Sequence, residues 1–320
     1  MAFRQRGLTV TEPWWQWGSR QQATTVRMIV LGVWLAIVSI TPYEYYARFP
    51  AEMSAGYGLG RILLGGPALK AFLLSFPVLM ALKWGAIVSC VLAILFPDRC
   101  RWLTPVVLAF VLVLDALTKS FNGYINHSQL VPLFVLLVFA LFGGRRALPT
   151  LGFRDDGETT GSSYRLVVWL AGLMLIIPYT FIAMNRLLVG GVEVFRGDAL
   201  LDYINLTSRR YSVYQSSAFL DLIRIPWAAA ALKAGYVVTT LFELSSAGVL
   251  FFLLFRRLWL VVIITFHFVT LFAMNIFFWE NLLLMLAIFG WGVWSRAGSP
   301  RLSPDAAAVP PVSPTMGGTR

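Results

Sequence analysis

The stretch LWLVVIITFHFVTLFAMNIFF at residues 258–278 carries a single ionisable side chain, His267, in an otherwise apolar run. A helix rising about 1.5 Å per residue crosses some 30 Å of hydrocarbon in roughly 20 residues, so this run reads as a membrane-spanning helix. Further runs of the same kind lie at residues 26–46, 72–96, 103–120, 127–142, 166–188, 226–255 and 281–294. The expected fold is therefore all-α, a polytopic transmembrane helical bundle of about eight spans. The runs at 127–142 and 281–294 are short and the one at 226–255 is long, which leaves seven spans with one re-entrant segment as the alternative.

Composition agrees with that reading. The 320 residues are 58% hydrophobic and 13% charged, whereas soluble domains carry about 25% charged residues. A net charge of +11 raises nucleic acid as a partner, but the basic residues occur as scattered short pairs between apolar runs and form no stripe, which excludes it. Their distribution instead sets topology, because cytoplasmic loops carry the excess of Lys and Arg. With the N-terminus inside, Arg4, Arg6, Arg20, Arg99, Arg101, Arg145, Arg146, Arg154, Arg165, Arg256, Arg257, Arg296, Arg301 and Arg320 all fall on the cytoplasmic side. Both termini are expected there, in a multi-pass protein of the cell membrane, the inner membrane if the source is bacterial. Cys90 and Cys100 form no CxxC and have no second pair, so neither a disulfide framework nor a zinc site is indicated.

The segments outside the spans differ in character. Residues 1–25 hold Trp14, Trp15 and Trp17 and read as a cytoplasmic segment at the headgroup level, where tryptophan rings prefer to sit. Residues 26–295 form the membrane domain. Within it, 143–163 is a polar cytoplasmic linker, and 189–225 mixes aromatic, charged and apolar residues as short amphipathic helices along the outer interface do. The linker and the Pro-, Ser- and Gly-rich tail at 296–320 are expected to be disordered.

Ionisable groups inside a bilayer are costly to place there and mark functional candidates. His127 opens the fourth span, His267 lies inside the seventh and Glu243 in the middle of the sixth. Each has a plainer reading: a histidine hydrogen-bonding between helices, or a glutamate in a buried ion pair. Lys83 can snorkel. If the sixth and seventh spans meet at the Arg256–Arg257 pair, Glu243 and His267 lie within about 5 Å in depth and come together near the bilayer centre. Asn126, His127, Asn185 and Arg186 fall toward the outer ends of their spans. A polar cavity opening outward, with Asn275 as a further wall, is the economical picture.

Four segments in order resemble one known family. VRMIVLG (26–32), NHSQL (126–130), IPYTFIAMNRLL (177–188) and FELSSAGVLFFLLFRR (242–257), followed by TFH (265–267), resemble motifs of the vitamin K-dependent gamma-carboxylase and its bacterial homologues with a horizontally transferred transmembrane (HTTM) domain. The resemblance covers residues 24–295. It implies a membrane domain in which His127 and His267 occupy positions in and around the active site. It also implies that the family's base, a lysine of a paired-lysine segment, should lie where this chain has Asn185, Arg186 and Leu187. Arginine stays protonated in proteins and cannot replace a lysine that must lose its proton. The resemblance thus implies a carboxylase-like pocket without gamma-carboxylation.

Three functional readings follow. The first is an HTTM-type protein with a lipid- or quinone-sized pocket in which His127 and His267 are candidate proton-transfer groups, since histidine titrates near neutral pH. The second is a non-enzymatic membrane partner or assembly factor for a secreted peptide or redox protein. The third, a transporter using Glu243 and His267, ranks last because the two halves show no inverted repeat. GxSxG, Walker, HExxH and dinucleotide-binding patterns are absent, and the glycine-rich GYGLGRILLGG (56–66) reads as a flexible turn. The cofactor stays unknown at this level.

Overall fold

The structure, a computed structural model, describes residues 20–50, 53–54, 66–122, 127–143, 160–191, 193–196, 198–211, 218–274 and 276–291. They are helical: α1 (Arg20–Ile40), α2 (Tyr43–Tyr46), α3 (Pro67–Leu73), α4 (Phe76–Leu95), α5 (Leu103–Asn122), α6 (His127–Phe142), α7 (Thr160–Gly190), α8 (Glu193–Arg196), α9 (Asp198–Tyr211), α10 (Ala218–Leu222), α11 (Pro226–Leu244), α12 (Leu253–Met274) and α13 (Trp279–Met285). A 3-10 turn, Ser246–Leu250, joins α11 to α12, and a π turn, Leu286–Gly290, extends α13. Five of these helices, α1, α4, α5, α7 and α12, are long and apolar enough to cross a membrane, and two shorter apolar helices lie at Gln129–Phe142 and Trp279–Gly290. This is the make-up of a multi-pass membrane protein.

Helix α1 sits at the centre. Its buried residues Val26, Val30, Val33, Trp34 and Val38 recur at helical spacing, which gives one continuous apolar stripe. That stripe packs against α4, α6 and α7. The α13 segment closes the other side, where the Gln22 side chain donates to the Ile288 carbonyl at 2.9 Å. Phe289 packs closely against α7 because residue 172 is glycine: a Cβ there would stand 3.2 Å from the Phe289 ring. Helix α7 ends at Gly191, whose φ of 52° suits the left-handed residue that closes many helices.

Several boundaries depart from expectation for local reasons. The span expected at 226–255 is not one helix. Ser245 and Ser246 turn their hydroxyls back onto the Leu241 and Glu243 carbonyls, each at 2.7 Å, which competes with the helical ladder, and α11 stops at Leu244. Glu243 therefore lies in the last turn of α11 and not mid-span. Arg256, expected in a cytoplasmic loop, belongs to α12 and is buried, donating from Nε to the Val249 carbonyl at 3.1 Å. The run at 72–96 splits at Ser75, an extended residue ahead of α4 with a proline in that helix's first turn, a position where the missing N–H costs nothing. The run at 26–46 is shifted to α1, which starts at Arg20 and ends before Pro42. Helix α7 starts at Thr160, inside the expected linker. Most of that linker, residues 1–19 and the tail lie outside the described residues. In 189–225, α8, α9 and α10 are the short helices present.

Candidate functional site

Helix geometry brings one face each of α7, α11 and α12 together. Tyr179, Ile182 and Arg186 are spaced three and four apart on α7, as are Tyr236, Thr240 and Glu243 on α11 and His267, Thr270 and Met274 on α12. Side chains so spaced share a helix face. These residues, Thr240 excepted, with Asn185, Phe266, Phe278, Asn281 and the α9 residues Ala199, Leu200 and Tyr203, line a cavity of about 660 Å³. That volume falls in the range of small-molecule sites. Pro178 also lines it; a proline inside a helix gives up one backbone hydrogen bond, which a membrane bundle tolerates where neighbours compensate.

The polar end of the cavity is an ion pair. Arg186 Nη1 donates to Glu243 Oε2 and lies 3.5 Å from Thr240 Oγ1. The guanidinium rests over the Tyr236 and Phe266 rings, 5.3 and 5.8 Å from their centroids. Glu243 is 1% exposed, so an uncompensated carboxylate there would be very costly. The positive charge of Arg186 offsets part of that cost, and the Tyr236 and Phe266 rings add cation–π contacts to the guanidinium.

A second polar pair stands beside it. The Tyr179 hydroxyl and His267 Nε2 are 2.8 Å apart, and both side chains are buried. Tyr179 packs edge-on against Trp259, with centroids 5.6 Å apart, and Trp259 edge-on against Phe289 at 5.8 Å. This aromatic column fixes Tyr179 from behind, while Phe278 meets the imidazole from the cavity wall at 5.5 Å. A hydroxyl and an imidazole at this distance can exchange a proton, with the tautomer set by which group donates.

The sequence expectation that Glu243 and His267 bind each other is corrected. Both line the cavity, but α7 supplies a partner to each: Arg186 to the carboxylate and Tyr179 to the imidazole. That expectation rested on one helix running from Glu243 to the Arg256–Arg257 pair, whereas α11 ends at Leu244. A guanidinium is also the stronger partner for a carboxylate than a neutral imidazole. Asn185 and Arg186 line the cavity as well. Asn126 and Asn275 lie outside the described residues, and His127 is placed only as the first residue of α6. Tyr179 and Tyr236 were not singled out from sequence. The available signal was Tyr179 standing two helical turns before Arg186, on the same face.

The described lining residues include no lysine. Lys70 donates to the Ser54 carbonyl, Lys83 to the Thr41 carbonyl, Lys119 to Asp115 and Lys233 to Asp198, all elsewhere. Among the described residues no group of three or more His, Cys, Asp or Glu side chains could hold a metal ion.

A second cavity of about 320 Å³ adjoins the first. It runs between α9, α11 and α12 and is lined by apolar residues including Ile204, Leu232, Val238, Val261 and Val269. Leu200, Tyr236, Phe266, Thr270 and Met274 belong to both walls. Compared with known proteins, the chain matches no family model, no curated protein sequence and no solved structure.

Proposed function

We propose that this chain is an HTTM-like membrane protein whose joined cavities hold one amphiphilic molecule of lipid or quinone size. Its polar head would lie against Asn185, Arg186, Glu243 and the Tyr179–His267 pair, and its tail in the groove between α11 and α12. The observation that carries this reading is the sharing of walls between a chamber with a buried ion pair and a groove that is apolar almost throughout. Val238 and Val261 on the groove are exposed on the protein's surface, which would let a tail enter sideways from the bilayer.

The order of the family-like motifs supports the HTTM reading, and it sets the limits on chemistry. Any proton transfer would run through His267, with Tyr179 as its partner, and through His127. Carboxylation of glutamate is not proposed, because Arg186 stands in the lysine region and is held as a cation by Glu243. For topology, eight crossings with both termini cytoplasmic remain our reading. The bond from Gln22 in the first turn of α1 to Ile288 near the end of the last helix supports an even number of crossings.

Purification from native membranes in mild detergent, followed by mass spectrometry of the intact protein, tests the proposal. One amphiphile per chain should survive the removal of loosely held lipid, and Arg186→Met should release it. Wild-type protein that carries nothing after the same treatment would refute the reading.

A further inference from the structure

A second polar cluster lies far from the cavity in the chain, where the start of α1, the turn between α4 and α5, and the start of α7 converge. Arg20 and Arg101 both donate to the same oxygen of Asp98, at 3.1 and 2.9 Å. Arg101 also donates to the Tyr164 hydroxyl at 3.3 Å and lies over that ring. Arg27, only 6% exposed, donates to the Pro97 carbonyl. The Nε atoms of Arg27 and Arg101 are buried without an acceptor among the described residues.

Among the described residues donors therefore exceed acceptors here. Each guanidinium carries five N–H groups, and one carboxylate oxygen serves two of them. Those bonds, from Arg20 first, hold the Asp98 carboxyl below its usual range, so it stays an acceptor at neutral pH but cannot balance the cluster. Topology alone asks only for exposed cations at the cytoplasmic ends. It does not ask for a buried Arg27 whose nearest charged neighbours include another arginine. The neighbouring Trp102 ring is 65% exposed, as interfacial tryptophans are.

We propose that this cluster binds a phosphate oxyanion, supplied by the headgroup of an anionic phospholipid. Arginine forks match phosphate oxygens two at a time, and basic clusters at the end of a membrane bundle attract anionic lipids. Arg20 and Arg101 would grip the phosphate beside Asp98, and Arg27 would add its charge from below. The site is separate from the cavity and does not depend on what the cavity holds.

The test is the thermal midpoint of the full-length protein in detergent, titrated with phosphatidylglycerol, phosphatidylcholine or inorganic phosphate. Phosphatidylglycerol should raise the midpoint saturably and phosphatidylcholine should not. Arg101→Gln should weaken the apparent lipid affinity about tenfold or more, the loss of a charge-assisted hydrogen bond. Arg257→Gln, an exposed arginine outside the cluster, should leave it unchanged. If Arg101→Gln fails to fold, Arg20→Gln, whose side chain is 57% exposed, takes its place. Equal effects of the two lipids, or equal losses in the Arg101 and Arg257 variants, would overturn the proposal. Inorganic phosphate as potent as phosphatidylglycerol would overturn the lipid as its source. A response seen only after neutralising Asp155, Asp156 and Glu158 of the linker would also overturn it, because lipid would then not occupy the site in the native chain.

Discussion

Replacing Glu243 by glutamine tests the buried pair directly. Removing one partner of a buried ion pair costs about 3–5 kcal/mol, mostly because the other charge is left without compensation. Here the stranded group is Arg186, whose side chain is 22% exposed and which keeps its contacts with Tyr236 and Phe266. Partial hydration and those ring contacts lower the expected loss to about 2–3 kcal/mol. Arg186→Met should cost more, about 3–5 kcal/mol, since it strands a carboxyl that is only 2% exposed. The double variant should lose less than the two single losses added together, by about 1.5–2 kcal/mol. Reversible unfolding in detergent micelles measures all three. A double variant whose loss equals the sum within about 0.5 kcal/mol would show that the pair is not coupled and that the cavity's polar end is misassigned.

Tyr179→Phe removes only the hydroxyl that meets His267 Nε2 and should destabilise by about 1–2 kcal/mol, with little added by His267→Gln on top; additive losses in the same unfolding assay would count against the pair. In a protein freed of Cys90 and Cys100, an impermeant thiol reagent added outside should reach a cysteine at position 208 and miss one at position 162, and the reverse pattern would invert the proposed topology. Supplied with vitamin K hydroquinone, oxygen and labelled carbonate, the protein should fix no label into a glutamate-containing peptide beyond a heat-killed control. Turnover lost in His267→Ala would refute that expectation.

Sequence reading succeeded where the signal was local and periodic. The apolar runs match α1, α4, α5, α7 and α12; the cost of burying ionisable groups picked out Glu243 and His267, which line one cavity together with Arg186, and also His127, whose side chain lies outside the described residues. It failed where competing hydrogen bonds or partner choice decide. A continuous apolar run across 226–255 hid the break, because two serine hydroxyls ended α11 without any loss of hydropathy. Arg256 was read as a loop cation because charge counting cannot distinguish an exposed arginine from one buried against a carbonyl. Which residue binds Glu243 depends on how α7 packs against α11, and spacing along a single helix carries no such information. The plainer readings of Glu243 and His267, an ion pair and an interhelical hydrogen bond, describe their contacts, and the cavity around them supplies the reason to look further.

The joined cavities make one demand that a single position can test. Gly235 lines the apolar groove, and a Cβ placed on it would meet nothing within 4 Å. Gly235→Phe should therefore fill the groove without disturbing Arg186 or Glu243. The measurement is photolabelling of the reconstituted protein by a quinone whose tail carries a diazirine, with the labelled peptides identified by mass spectrometry. Wild-type protein should be labelled on α11 and α12 within the groove, and Gly235→Phe should abolish that labelling while leaving the thermal midpoint unchanged. Labelling that persists in Gly235→Phe, or that spreads evenly over exposed apolar residues such as Leu95 and Phe272, would contradict the account.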